Sequence, residues 1–339
     1  AQDIASRMLI LFPGNLNLLK LLSQIASKTG NYALAESYIN QVLQQEPENS
    51  QFLLLRVKVL MDQGNYVKAV SFLDIYARVD KVSKDYLLLR SRIQNEWNKN
   101  SVAAAATVEQ ALELYPDDSA VILAAANLAA VTGNQVRGKT AGELAEEILL
   151  REPGNDEAIF IRAKDALARK EWDTAYTNTS QLVKNDNVNI EKKILHIQAC
   201  LGVNRVEEAL TEVNKLYQQY SNSDDVKELY LRVQAAVGNR GEVRSLIASF
   251  LPSASSQLKS FLYYQRSLLA ANDTDRLADL RQSLTANPRN TEALFELYQY
   301  YFDRKDYRKA QYYLKQVVAL NTNDEEILRL NVELEALLK

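Results

Sequence analysis

One histidine and one cysteine occur in 339 residues. A structural zinc site, a disulfide and the histidine-dependent triads of most covalent hydrolases each require more than that. Glycine and proline are also scarce, at 10 and 6 residues, about 5% of the chain against a usual ~12%. Sheet-rich folds consume turn residues, so their scarcity predicts an all-α protein. The chain lacks a basic excess, with 40 Lys and Arg against 43 Asp and Glu, which argues against a nucleic-acid partner because phosphate neutralisation needs a visibly basic face. No run of 18 apolar residues is present, so no membrane-spanning helix is expected. An initiator methionine is missing as well: the sequence opens on Ala1-Gln2-Asp3. This sets the expectation of an upstream segment lost to processing, and with it a periplasmic or membrane-tethered placement, the cytoplasm being the alternative.

What is present is 47% hydrophobic residues, ample for a core, arranged with a period. Pro13 and Pro47 lie 34 residues apart, and Gly30-Asn31-Tyr32 returns 34 residues later as Gly64-Asn65-Tyr66. A small residue recurs downstream at Ala35, Ala69, Ala104, Ala141, Ala175, Ala209 and Ala310. The turn before it reads Gly133-Asn134, Lys170-Glu171-Trp172, Gly238-Asn239 and Lys305-Asp306-Tyr307, and the closing proline returns as Pro116, Pro153 and Pro288. Each such proline stops a helix and turns the chain into the next unit.

These residues resemble the tetratricopeptide repeat, a 34-residue helix-turn-helix unit with a small residue, an aromatic and a late proline. The resemblance implies an all-α, right-handed superhelical solenoid of about nine repeats: 16–49, 50–83, 84–118, 119–155, 156–189, 190–223, 224–257, 258–290 and 291–324. Segment 1–15 is an orphan second helix, 16–257 holds repeats one to seven, 258–324 the less regular eighth and ninth, and 325–339 a capping helix. A hairpin with apolar residues on more than one face satisfies them only by stacking on its neighbours. The glycine that the family places inside the first helix is absent; Ser23, Val57, Ser91, Ala126, Ala163, Ile197, Leu231, Gln265 and Tyr298 occupy that position. The bulk of Leu231, Gln265 and Tyr298 makes the repeats from 224 onward the least regular, and Pro252 predicts an early helix end with a loose junction at 251–257. Three extra residues between Pro116 and Pro153 lengthen one turn. There Gly133 followed by Gly138-Lys139-Thr140 spells a phosphate-binding loop, but the segment before it is helix-forming and a phosphate loop needs a preceding strand, so an extended inter-helix loop is the expectation.

His196 and Cys200 share a helix face. Their repeat positions are filled elsewhere by packed residues, such as Leu22 and Ala125 or Ala26 and Leu60, so both are expected to be buried, without a metal, a cofactor or catalysis. Acidic pairs such as Asp117-Asp118, Glu207-Glu208 and Asp224-Asp225, with the run Asp324-Glu325-Glu326, precede or open helices, where carboxylates cap and complement the dipole. Tyr300, Phe302, Tyr312 and Tyr313 are expected to leave an aromatic patch on the last repeat, supporting a homodimer or partner docking; monomer and homodimer stand level.

The resemblance assigns the concave surface chiefly to first helices, where Leu54, Leu88, Leu123, Phe160, Ile194, Leu262 and Phe295 form an apolar ladder. One turn on, Gln24, Lys58, Arg92, Asn127, Lys164, Gln198, Arg232, Arg266 and Gln299 form a column of cations and amides. Nearer the helix starts, Asn17, Gln51, Asp85, Ala120, Glu157, Glu191, Asp225, Lys259 and Glu292 make a column that is mainly acidic. Two readings stand: the columns pair with each other and with the helix dipoles, or they flank a peptide groove. In the second, Leu88, Phe160 and Ile194 bury the ligand, while Arg92, Asn127, Lys164 and Gln198 donate to it. The family's two-carboxylate clamp does not transfer: Lys20 fits it, but Gln24, Leu55, Asp85 and Leu89 do not.

The functional expectation is a noncatalytic protein-protein or protein-peptide scaffold. Its alternatives are a regulatory or substrate-recognition segment of a larger enzyme, and a repeat cavity that holds a small molecule or lipid.

Overall fold

The computed structural model describes residues 2–185, 188–320 and 324–338. Ala1 and Lys339, the outer ends of the expected terminal helices, and the stretches 186–187 and 321–323 inside the expected repeats lie outside the described residues. Among the described residues twenty helices follow one another. An outer helix α1 (Gln2–Leu11) precedes the hairpins α2 (Leu16–Lys28) with α3 (Tyr32–Gln45), α4 (Ser50–Asp62) with α5 (Tyr66–Asp80), α6 (Lys84–Glu96) with α7 (Ser101–Leu114) and α8 (Ser119–Thr132) with α9 (Ala141–Leu149). Then come α10 (Asp156–Ala168) with α11 (Trp172–Asn185), α12 (Ile190–Gly202) with α13 (Val206–Tyr220), α14 (Asp224–Val237) with α15 (Arg240–Phe250), α16 (Ser256–Leu268) with α17 (Asp273–Ala286) and α18 (Thr291–Asp303) with α19 (Tyr307–Leu320); α20 (Glu325–Leu337) follows. The architecture is an α-solenoid of paired helices, and it falls into two compact units, Ala1–Asn178 and Thr179–Lys339. Among the described residues no helix is long and apolar enough to cross a membrane.

Short polar residues start these helices. Asn49 accepts from the Phe52 N–H at 3.2 Å and Asn155 from Ala158 at 3.1 Å, and Asn15, Asn31, Asn65 and Asn290 cap in the same way. Asp118 and Asp324 each accept two N–H bonds, so these acids act as caps, as read from the sequence. The turns within hairpins close by one recurring bond from residue i+5 to i: Asn31 N–H to the Ala26 carbonyl at 2.9 Å, Asn65 to Leu60 at 2.8 Å, Arg205 to Cys200 at 2.7 Å and Asp306 to Tyr301 at 3.0 Å. That closure needs a left-handed residue, which Gly30 and Gly64 supply at φ 74°. Lys170, Asn204 and Lys305 adopt φ of 59–60° at the same place without being glycine.

The recurring small residues are the seams of the stack. Ala35, Ala69, Ala104, Ala141, Ala175, Ala209 and Ala310 are all buried, and so are all nine residues that replace the family's first-helix glycine. The two sets meet directly in one hairpin, where Ser91 Oγ donates to the Ala104 carbonyl at 3.1 Å. Around these seams lie Leu60, Leu87, Ile122 and Ile148, each stabilising the fold by about 1.5–3 kcal/mol relative to exposure. In the second unit Leu231, Val243, Ile247, Phe250 and Leu258 form one core group, and Tyr298, Leu314 and Leu334 another, the latter joining α20 to the last hairpin.

Two local expectations are resolved differently. The helix before Pro252 ends early, at Phe250, as its sequence requires. The junction is nevertheless tied down: Ala254 is buried, Ser255 caps α16, and its N–H donates to Asp224 Oδ2 at 2.9 Å. The loop at 133–140 is an inter-helix connection in which Val136 and Lys139 pair as an isolated antiparallel bridge. Its Lys139 ammonium pairs with Glu147, and the helix N-terminus that a phosphate would need receives the Glu143 carboxylate in a capping box with Thr140.

Candidate functional site

Leu88, Leu123 and Phe160 sit half-buried on α6, α8 and α10, whose neighbouring first helices pack side by side. Leu88 and Leu123 lean on the main core group of the first unit. Leu54 and Leu262 are fully part of the core, so two rungs of the ladder are packing rather than floor. In the second unit Ile194 is half-buried and Gln198 exposed on α12.

The polar residues of this face engage one another. Lys58 Nζ lies 3.5 Å from Asp85, Asn127 donates to Glu157 at 2.8 Å, and Arg92 pairs with Glu96 at 2.7 Å and Asp62 at 3.6 Å. Lys164 lies over the Phe160 ring, 5.1 Å from its centroid. Lys20, the one clamp-like lysine, is held by Glu46 at 2.7 Å. The cationic and acidic columns therefore meet across successive first helices at Lys58–Asp85 and Asn127–Glu157 instead of running apart as separate rails.

In the second unit the same relation spans two hairpins. Arg232 Nη1 and Nη2 donate to Glu292 at 2.8 and 2.9 Å, while Nε and Nη2 also reach Glu228 at 3.1 and 2.9 Å. The guanidinium lies 4.3 Å from the Phe261 ring centroid. Burial opposes its charge, but the Glu292 and Glu228 carboxylates outweigh that and raise its pKa. Burial, with Glu292 and Glu296 nearby, pushes the Tyr264 phenol up to about 12.

His196 and Cys200 are buried, at 7% and 0% exposure. Burial lowers the pKa of His196 and pushes the Cys200 thiol up to about 12, so the pair is neutral and offers no thiolate nucleophile. The count of one histidine and one cysteine overlooks a neighbour: Glu208, in the first turn of α13, places Oε1 3.5 Å from His196 Nε2. Its signal in the sequence is its place three residues after Arg205, whose closing bond to Cys200 folds α13 back onto α12.

The four rings expected as an association patch do not form one. Tyr300 is 8% exposed, bonded to Asp273 at 3.3 Å and covered by Arg304. Phe302 packs between Tyr298 and Tyr307, and Tyr313 stacks on Tyr301 at 5.7 Å. Of the four, Tyr312 stands in solvent, 64% exposed. The aromatic excess of this hairpin joins α18 to α19. A cleft of about 520 Å³ beside α15 and α17 is lined by Ile247, Leu251 and Leu269. Its Arg266 pairs with Asp279 and its Arg244 donates to the Leu269 carbonyl.

Comparison with known proteins follows the same lines. The tetratricopeptide-repeat family model matches residues 26–93. A tetratricopeptide repeat protein from Parabacteroides merdae ATCC 43184 is 14% identical, with 84% of this chain and 98% of that one covered and a TM-score of 0.51. PilW, a widely conserved type IV pilus biogenesis factor, is 15% identical, with 62% and 96% covered and a TM-score of 0.53. No curated protein matches the chain. At such identities the likeness to solved structures is one of fold. Residues 26–93 carry the tetratricopeptide-repeat signature, and with small residues buried at every seam that carries them and nine hairpins among the described residues, the chain folds as a solenoid of that kind.

Proposed function

We propose that the chain is a noncatalytic scaffold that holds an extended peptide or protein segment against its row of first helices. Solenoids of this type are generally used for protein and peptide binding, and nothing in the neutral His196–Cys200 pair supplies a nucleophile. The observation that carries the reading is the run Leu88, Leu123, Phe160: one half-buried apolar side chain per hairpin on adjoining helices of the first unit. Arg92, Asn127 and Lys164 lie one turn further along and supply donors for carbonyls or carboxylates of the ligand. In the second unit, Ile194 and Gln198 repeat this pairing of anchor and donor. Because Arg92 and Asn127 already contact acids of the same face, an acidic ligand exchanges one carboxylate partner for another. Its affinity then rests on the apolar anchors, since truncating a desolvated anchor costs more than about 1 kcal/mol and an exposed pair contributes about 0–1.

Affinity purification with mass spectrometry identifies the partner, whose affinity is then measured for Phe160→Ala, Lys164→Ala and, on the second-helix side, Val102→Ser. The expected order of loss is Phe160→Ala, then Lys164→Ala, with Val102→Ser unchanged and circular dichroism showing each variant folded. Wild-type binding by the first two, together with loss in Val102→Ser, overturns the reading.

A further inference from the structure

The convergence of His196, Cys200 and Glu208 goes beyond scaffolding. His196 and Cys200 stand one helical turn apart on α12, and Glu208 comes from α13 of the same hairpin. One ligand atom from each lies within 4.8 Å of the others. Two of the separations are 3.5 Å, from Nε2 to the Glu208 carboxylate, and 3.7 Å, from Nε2 to the Cys200 sulfur. A tetrahedral zinc ion with bonds of about 2.0–2.3 Å sets its ligands about 3.3–3.8 Å apart, so both separations already equal an edge of that tetrahedron.

The surroundings orient two of the donors. Thr179 Oγ1 lies 3.2 Å from His196 Nδ1; with the ring proton on Nδ1 and donated to that hydroxyl, the Nε2 lone pair faces Cys200 and Glu208. Such a bond at the far ring nitrogen is what fixes a metal-binding imidazole. Arg205 donates to the other carboxylate oxygen of Glu208 at 3.4 Å, leaving Oε1 on the His196 side. The Glu208 side chain is partly exposed, which opens that edge of the cluster to solvent. Thiolate with imidazole and carboxylate is a donor set for zinc rather than magnesium or calcium.

We propose that His196, Cys200 and Glu208 form a zinc site that clips α12 to α13, with three protein ligands and one water. Binding replaces the thiol S–H bond by a Zn–S bond and releases one proton to solvent, with no change of oxidation state.

The test uses the full chain, freed of metal by a chelator and titrated with Zn²⁺ or Co²⁺. One equivalent is expected to bind. Co²⁺ should give a sulfur-to-cobalt charge-transfer band and the intense visible bands of a tetrahedral site, and Zn²⁺ should raise the melting temperature. Cys200→Ser removes the charge-transfer band. Glu208→Gln, at the partly exposed edge and therefore least disturbing to folding, weakens binding at least about tenfold. No uptake by the folded wild-type chain overturns the site. So does a charge-transfer band that survives Cys200→Ser, or wild-type affinity in Glu208→Gln.

Discussion

Arg232 and Glu292 stand 60 residues apart and are joined by two parallel hydrogen bonds of 2.8 and 2.9 Å. The pair links α14 to α18, two hairpins away, and passes over Phe261 of α16 between them. It is a bidentate guanidinium–carboxylate contact, the strongest geometry such a pair adopts, and Glu228 shares the same guanidinium.

This pair should therefore carry stability beyond that of an ordinary surface bridge. Replacing Arg232 by Ala leaves two carboxylates facing each other on a partly covered surface. The expected loss is about 1.5–3 kcal/mol, the range for hydrogen bonds to charged groups. Urea unfolding of Arg232→Ala, Glu292→Ala and the double variant measures it. A coupling energy near zero in that cycle shows the contact to be incidental.

Asp118 joins two repeats and responds to pH. Its carboxylate bonds Lys84 Nζ at 2.7 Å, 34 residues back, and caps α8 through the Ala120 and Val121 N–H groups. Lys84 first, then the two N–H groups, hold its pKa below 3.8 despite some burial. The sign follows: the unfolded chain binds this proton more readily, so the stabilisation is complete above about pH 4 and fades as pH falls through the depressed folded value. Asp118→Ala should cost about 0.5–2 kcal/mol at neutral pH and flatten the acid limb. Asp118→Ser retains the cap and loses the Lys84 link, so it should recover part of the stability without the pH response. An acid limb identical in all three proteins contradicts the assignment.

Lys305 holds φ 60° at the position where three earlier hairpins use glycine, at Gly30, Gly64 and Gly238. A left-handed backbone costs a residue with a Cβ roughly 1–2 kcal/mol, while glycine pays part of that back in the entropy of the unfolded chain. Lys305→Gly should raise stability by about 0.5–1 kcal/mol in thermal or urea unfolding, and Lys305→Val should lower it. A destabilised glycine variant shows that the lysine side chain contributes more than its backbone costs.

Tyr312 is too small a surface by itself to hold two chains together, since a stable interface buries more than about 1,000 Å². Sedimentation of Tyr312→Ser should match wild type at every concentration. A shift toward smaller species in that variant places the ring at an interface.

The sequence by itself determined that the chain is a series of paired helices, while the break read between 257 and 258 falls inside α16, which starts at Ser256. Asparagine and aspartate caps, the turn residues at 30, 64, 170, 204 and 305 and the prolines after second helices act through bonds a few residues long, and those bonds form wherever the local spelling allows. The buried seams were legible for a similar reason: a period of 34 puts Ala35, Ala69 and Ala104 at one place in successive hairpins, and stacking buries that place every time. What stayed hidden depends on how one hairpin is laid on the next. Leu54 and Leu123 occupy equivalent positions, yet only Leu54 is core. Tyr300 and Tyr312 look alike in sequence and end up buried and exposed. Glu208 meets His196 only because the turn at 202–205 folds α13 back across α12, and Arg232 meets Glu292 only because α16 lets the helices on either side approach. Such meetings depend on the rotation between neighbouring hairpins, which is set by the summed packing of many side chains. Local signals therefore fixed the elements, and tertiary packing decided which of their side chains face one another.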